Sequence, residues 1–322
     1  MIKYGFALSS EEHGPADLAL LAAQAEQAGF SFALISDHFH PWVSAQPHSP
    51  FVWSTLGAIS QTTRKLSVGT GVTCPIQRIH PAILAQAAAT TASLMEDRFF
   101  FGLGTGENLN EHIFGQKWPP APQRLEMLEE AVKVIRTLWH GQMTTHYGEF
   151  FTVEDARIFT LPTQLPPIAL AASGPEAAEL AGRVGDALIS VVPKKEIVEA
   201  FRQAGGQGKP CYGQVTLCYD QSEEKAIQTA LQWWPNSALP SPLNVELRSV
   251  EHFDQAAKSV TPEQIRESLP CGPGLAKHRE AIEKFIEAGF DHIYIHQVGP
   301  KQKAFMEFFQ ENFLKKPVSA GR

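Results

Sequence analysis

The stretch Ala25-Glu26-Gln27-Ala28-Gly29-Phe30-Ser31-Phe32-Ala33-Leu34-Ile35 decides the fold. An alanine-rich segment runs up to Gly29, which can take the left-handed turn that closes a helix, and an apolar run of strand length follows. The same junction returns as Ile286-Glu287-Ala288-Gly289-Phe290 before His292-Ile293-Tyr294-Ile295-His296. A looser copy, Glu179-Leu180-Ala181-Gly182-Arg183, leads into Ala187-Leu188-Ile189-Ser190-Val191. Helices that feed short buried strands imply parallel pairing. Further strand candidates are Lys3-Tyr4-Gly5-Phe6-Ala7-Leu8, Leu66 to Gly71, Phe99 to Leu103, Ile168 to Ala172 and Gln214 to Cys218, which brings the total to eight. Eight strands alternating with helices match an α/β chain folded as a (β/α)8 barrel better than a doubly wound sheet, and residues 1–322 read as one such domain.

The 322 residues are 43 % hydrophobic, enough for a large core. The formal net charge of −7 is spread rather than blocked, so neither nucleic acid nor an anionic membrane surface is expected as a partner. Cys74, Cys211, Cys218 and Cys271 show no CxxC spacing and read as reduced thiols of a cytoplasmic protein, with no metal site expected. Met1-Ile2-Lys3-Tyr4 enters a strand directly, without signal-peptide character. Two stretches exceed ordinary loop length, about Leu109 to Leu125 and about Trp233 to Pro262. Such insertions cover a barrel mouth or make subunit contacts, or are simply tolerated at the surface.

The chemistry collects where strands end, because the C-terminal rim of a parallel barrel is where loops converge. Ser36-Asp37-His38-Phe39-His40-Pro41-Trp42 follows the strand Phe32–Ile35 and crowds an acid, two imidazoles and an indole into one loop. The plain alternative is an ordinary loop that Asp37 caps. Gly102-Leu103-Gly104-Thr105-Gly106-Glu107-Asn108-Leu109-Asn110 carries closely spaced glycines, but Glu107 stands where a GxGxxG fingerprint needs glycine, which rules out a dinucleotide motif. Glu107 is either a carboxylate satisfying helix donors or the partner of His38 in proton transfer. Ser173-Gly174-Pro175-Glu176-Ala177 opens a helix whose free amides suit an anion, unless Ser173 simply caps it.

These motifs together resemble the luciferase-like, coenzyme F420-dependent oxidoreductases, most closely their glucose-6-phosphate dehydrogenase group, from Tyr4 to about Phe313. Ala85-Gln86-Ala87 and Pro262-Glu263-Gln264-Ile265 share in the likeness. The resemblance implies a (β/α)8 barrel, commonly a homodimer, that holds the deazaflavin of F420 at its mouth. It implies Asp37, Thr105, Gly106 and Asn110 beside the cofactor, with Ser173, Gly174, Glu176 and Ala177 on its tail. It also implies a non-proline cis peptide at Gly71–Val72 behind the ring, and Cys74 where the group usually offers threonine. His38 is the candidate base, Glu107 the group managing the proton at the deazaflavin, with swapped roles left open, and Trp42 a wall for the substrate.

For the substrate, the resemblance implies a phosphate pocket for a hexose 6-phosphate. Lys194 and Arg279 align with two of its cations, whereas Gln255 stands where a second lysine belongs and Val191 where a threonine does. Losing one charge-assisted bond of roughly 1.5–3 kcal/mol weakens phosphate binding without abolishing it. The alternatives are an F420-dependent alcohol dehydrogenase, a reductase using reduced F420, an FMN-dependent monooxygenase on the same barrel, and a non-catalytic F420 binder.

Overall fold

The computed structural model describes residues 1–315. Ten strands form: β1 Lys3–Leu8, β2 Phe32–Ile35, β3 Ser67–Thr70, β4 Phe99–Leu103, β5 Thr144–Tyr147, β6 Thr152–Ala156, β7 Ile168–Ala171, β8 Ala187–Ser190, β9 Cys211–Leu217 and β10 His292–Gln297. Eight close into a parallel barrel in the order β1-β10-β9-β8-β7-β4-β3-β2, as the junction pattern predicts. The register is continuous across the closure, with Phe6 opposite Ile295 on one side and Ala33 on the other. Gly29 and Gly289 end their helices with φ of 99° and 101°, the left-handed geometry expected of them. The looser junction differs: Gly182 lies inside the helix Pro175–Val184, which ends at Gly185 in extended conformation.

Strand β9 begins at Cys211, three residues before the apolar alternation suggests, and the position of Gly213 leaves space for the ring of Phe285. The antiparallel hairpin β5–β6 was not legible in the sequence. Of the two long stretches, the first holds the short helix Asn108–Glu111 and then enters the helix Ala121–Leu138. The second holds a 3₁₀ turn at Pro235–Ala238 and the helices Leu243–Glu246 and Val250–Ala257.

The main core lies between barrel and helices. Phe30 stacks on Phe309 at 5.2 Å and Tyr4 meets the same ring edge-on at 5.4 Å, which docks the C-terminal helix Gln302–Phe309 on β1. Inside the barrel, bulk is graded from bottom to top. Phe32, Phe100, Tyr212 and His292 close the bottom, with Phe100 stacked on Tyr212 at 5.1 Å. They fit because β1 and β3 carry glycine beside them: a Cβ at Gly5 would stand 2.3 Å from Phe32, and one at Gly69 2.2 Å from Phe100. Higher up, Ala7, Gly71, Gly104 and Ala171 leave room beside Leu34, Ile189 and Tyr294, and the interior opens into a mouth cavity of about 850 Å³.

Candidate active site

His38, Trp42 and Glu107 all line this cavity. His38 follows β2, its ring edge-on to Trp42 with centroids 4.9 Å apart. Trp42 in turn meets Phe253 of the insertion helix at 5.3 Å. Glu107 follows β4 and begins the helix Asn108–Glu111 without capping it through its side chain, so its carboxylate is not consumed by helix donors.

Behind His38 stands a residue the sequence reading missed. Glu11, in the turn after β1, is buried and carries Oε1 3.2 Å from His38 Nδ1. The contact is not aligned as a hydrogen bond, since Nδ1 is buried without a hydrogen-bond partner. The Glu11 carboxylate is held by the hydroxyls of Ser36 at 2.8 Å and Ser9 at 3.0 Å. The neighbouring Glu12 reaches the other way, its Oε2 2.7 Å from His296 Nε2 at the end of β10 and its Oε1 accepting from the Gly299 amide. Burial pushes the Glu12 carboxyl up, but the His296 contact and the amide outweigh it and leave the carboxyl below its ordinary range. Because β1 lies between β2 and β10, two consecutive carboxylates serve imidazoles on either side. Acids in a turn carry no periodic signal, so only the barrel order reveals them.

The residues expected beside the cofactor divide. Gly71, Val72, Thr105, Gly106, Ser173 and Ala177 line the cavity, and the Gly71–Val72 peptide is cis. Asp37 does not line it. Its Oδ1 pairs with Arg78 Nη2 at 2.8 Å, its Oδ2 accepts from Thr73 Oγ1 at 2.7 Å, and Arg78 Nε reaches Glu111 at 3.4 Å. Burial opposes charge on the Arg78 guanidinium, but Asp37 and Glu111 outweigh it and raise its pKa. This buried network ties the loops after β2, β3 and β4 together. Asn110 is likewise a brace: its Oδ1 accepts from the backbone of Phe39 at 2.9 Å and His40 at 3.1 Å, and its Nδ2 lies 3.4 Å from Glu107 Oε2. Cys74 is packed under Gly106, where burial pushes its thiol well above the usual range. Gly174 and Glu176 also lie off the cavity wall, but the helix Pro175–Val184 has no side-chain cap at its start, which excludes capping by Ser173.

Of the residues expected at the substrate, only Val191 lines the cavity. Lys194 starts the helix Lys195–Phe201 and Gln255 sits on Val250–Ala257, both exposed and off the wall. Arg279 is not brought to the mouth: its guanidinium lies 5.9 Å from the centroid of Phe313, on the outer side of the barrel. The face it takes is set by packing against the distant C-terminal segment. Gln46, also unforeseen, is buried, accepts from Trp42 N at 2.8 Å and donates to Trp233 O at 2.7 Å, fastening the insertion to the Trp42 loop. Among the described residues no cluster suited to a metal ion is found, and no helix is long and apolar enough to cross a membrane.

Acid, imidazole and indole groups thus converge over a glycine-walled barrel mouth, and comparison with known proteins gives the family. Residues 2–292 match the model of the luciferase-like monooxygenase family, and the chain belongs to that family. It is similar to an F420-dependent glucose-6-phosphate dehydrogenase of Amycolatopsis mediterranei, 31 % identical over 334 residues and covering 100 % of both chains. Its counterpart in Nakamurella multipartita is 32 % identical, with 97 % of this chain and 96 % of that protein covered. Among solved structures, an F420-dependent secondary alcohol dehydrogenase in complex with an F420–acetone adduct superposes with TM-score 0.89 at 30 % identity, covering 97 % and 98 % of the two chains. A coenzyme F420-dependent tetrahydromethanopterin reductase from Methanopyrus kandleri, 20 % identical with TM-score 0.78 over 98 % and 99 % of the chains, shares the fold.

Proposed function

We propose that this protein is an F420-dependent dehydrogenase that oxidises the CH–OH carbon of an uncharged alcohol. The observation carrying this reading is that His38, Trp42 and Glu107 line one cavity whose wall lacks Lys194, Gln255 and Arg279. The residues fit the cofactor. Gly71, Val72, Gly104 and Gly106 make a wall of small groups against which a flat ring can lie, and the uncapped start of the helix Pro175–Val184 offers free amides to an anionic tail.

When bound, F420 supplies a carbon that accepts a hydride. The chain's own residues orient the alcohol and manage its proton. With Nδ1 turned to Glu11, His38 keeps Nε2 for the hydroxyl proton as the carbinol becomes a carbonyl. Glu11 stabilises the imidazolium that forms, in a site where burial strengthens charge effects. Glu107 holds or delivers the proton at the cofactor's edge, and Trp42 restricts the poses open to the alcohol. The roles of His38 and Glu107 are interchangeable in principle, and the reverse reaction is a reduction by the same groups.

A second reading, oxidation of a hexose 6-phosphate, is favoured by the names of the curated relatives and by three cations at the outer end of the cavity, Arg266, Lys277 and Lys284. Each already has a carboxylate, Glu223 for the first two and Glu280 for the third, so the uncharged alcohol is preferred. The deciding experiment follows the loss of F420 absorbance with 2-butanol, glucose and glucose 6-phosphate. Bleaching by 2-butanol supports the proposal, bleaching by the phosphosugar alone supports the second reading, and bound FMN in the purified protein would overturn both.

A further inference from the structure

The cavity wall contains a polar group that the proposed chemistry leaves unused. Asn236 lies in the 3₁₀ turn Pro235–Ala238 of the long insertion, is 4 % exposed, and lines the mouth cavity. Its amide oxygen is buried without a hydrogen-bond partner among the described residues. Native proteins rarely leave such a group unmet, and a ligand that supplies the missing bond is favoured by the difference. The groups near it are fixed. Trp234 meets the His296 ring edge-on at 4.3 Å, and His296 is held by Glu12 on one nitrogen. Its other nitrogen is 3.5 Å from Thr216 Oγ1, which accepts from Gln214 Nε2 at 3.1 Å. Glu12 and His296 are paired at 2.7 Å, so this side of the cavity presents hydrogen-bonding groups on rigid supports.

Resting on the CH–OH reading above, we propose that Asn236 is a specificity-determining residue that hydrogen-bonds a second hydroxyl of the substrate, which is therefore a diol or polyol rather than a simple alcohol. A hydroxyl suits an amide in either orientation, since it both donates to the oxygen and accepts from the NH₂.

The test compares 2-butanol with 2,3-butanediol, 1,3-butanediol and 2,5-hexanediol on the F420-loaded enzyme, wild type and Asn236→Leu. At least one diol is expected to exceed 2-butanol in kcat/KM. That advantage should shrink roughly 2- to 12-fold in the variant, the worth of one neutral hydrogen bond. Leucine is close in volume and removes an unmet amide, so Tm is not expected to fall, and F420 affinity by fluorescence titration should change less than about twofold. A structural role would instead lower Tm and depress every alcohol equally. No preferred diol in the wild type, or an advantage that survives in the variant, overturns the proposal. Asn236→Ser gives the same comparison should the leucine variant not fold. If no alcohol is oxidised, the CH–OH reading fails. Diol and 2-butanol binding, measured by F420 fluorescence, then judges Asn236 alone, and equal binding of the two overturns its role.

Discussion

Replacing Glu11 by glutamine isolates the charge behind His38. The amide is close to isosteric and can still accept from Ser9 and Ser36, so the loss is electrostatic rather than steric. At 3.2 Å, with an effective dielectric of about 20, a carboxylate–imidazolium attraction is about 5 kcal/mol. Only the part that grows as the imidazolium forms reaches the transition state. If half of it does, the barrier rises by about 2.5 kcal/mol and kcat falls by roughly 70-fold. Stopped-flow single-turnover reduction of F420 reads this step directly, while KM for the alcohol and the Kd for F420 should stay within about threefold, because Glu11 acts on the proton and not on binding. A kcat within threefold of wild type in a variant that folds and binds F420 would refute the argument that His38 collects the proton under the influence of Glu11. Equal losses in KM and F420 affinity would refute it differently, by making Glu11 a scaffold.

Other outcomes are equally open to measurement. Arg279→Ala should leave KM for any phosphosugar unchanged, because its guanidinium lies over Phe313; a large rise in KM would return it to the substrate site. Asn110→Ala leaves two backbone N–H groups of the His38 loop unmet, at about 1–3 kcal/mol each, and should lower Tm by several degrees together with kcat; an unchanged melting curve would deny the brace. The Glu12 carboxyl lies below its unfolded value in the folded protein, so its stabilising contribution is complete above the unfolded pKa and is lost as pH falls through the folded one. Glu12→Gln should therefore show a shallower loss of stability with acid than wild type, and parallel acid denaturation curves would contradict this. Burial pushes the thiols of Cys211 and Cys271 up to about 12, so neither should react with iodoacetamide at neutral pH until the protein unfolds.

The barrel was legible because its signals are local. A glycine after a helix and a four- to six-residue apolar run are properties of neighbouring residues, and β2 and β10 were readable from little else. The hairpin β5–β6 was not, since Thr144–Tyr147 is short, half exposed and without apolar alternation. At the site, His38, Trp42, Thr105, Gly106 and Glu107 could be read because strand ends announce the rim. What the sequence withheld were pairings across distance. Asp37 reads as a free acid until Arg78, packed from the loop after β3, takes it. Arg279 and Lys277 are two residues apart on one helix, but only Lys277 faces the cavity, and each meets a partner far away in sequence, Phe313 for Arg279 and Glu223 for Lys277.

The adjacency of Glu11 and Glu12 has a consequence for recombination between relatives. A chimera joined anywhere between Glu12 and His38 inherits the two carboxylates from one parent and the imidazoles His38 and His296 from the other, and a single-residue shift at the joint gives each ring the wrong partner. Fragments exchanged within this family should therefore be cut before Leu8, so that the turn travels with both of the rings it serves.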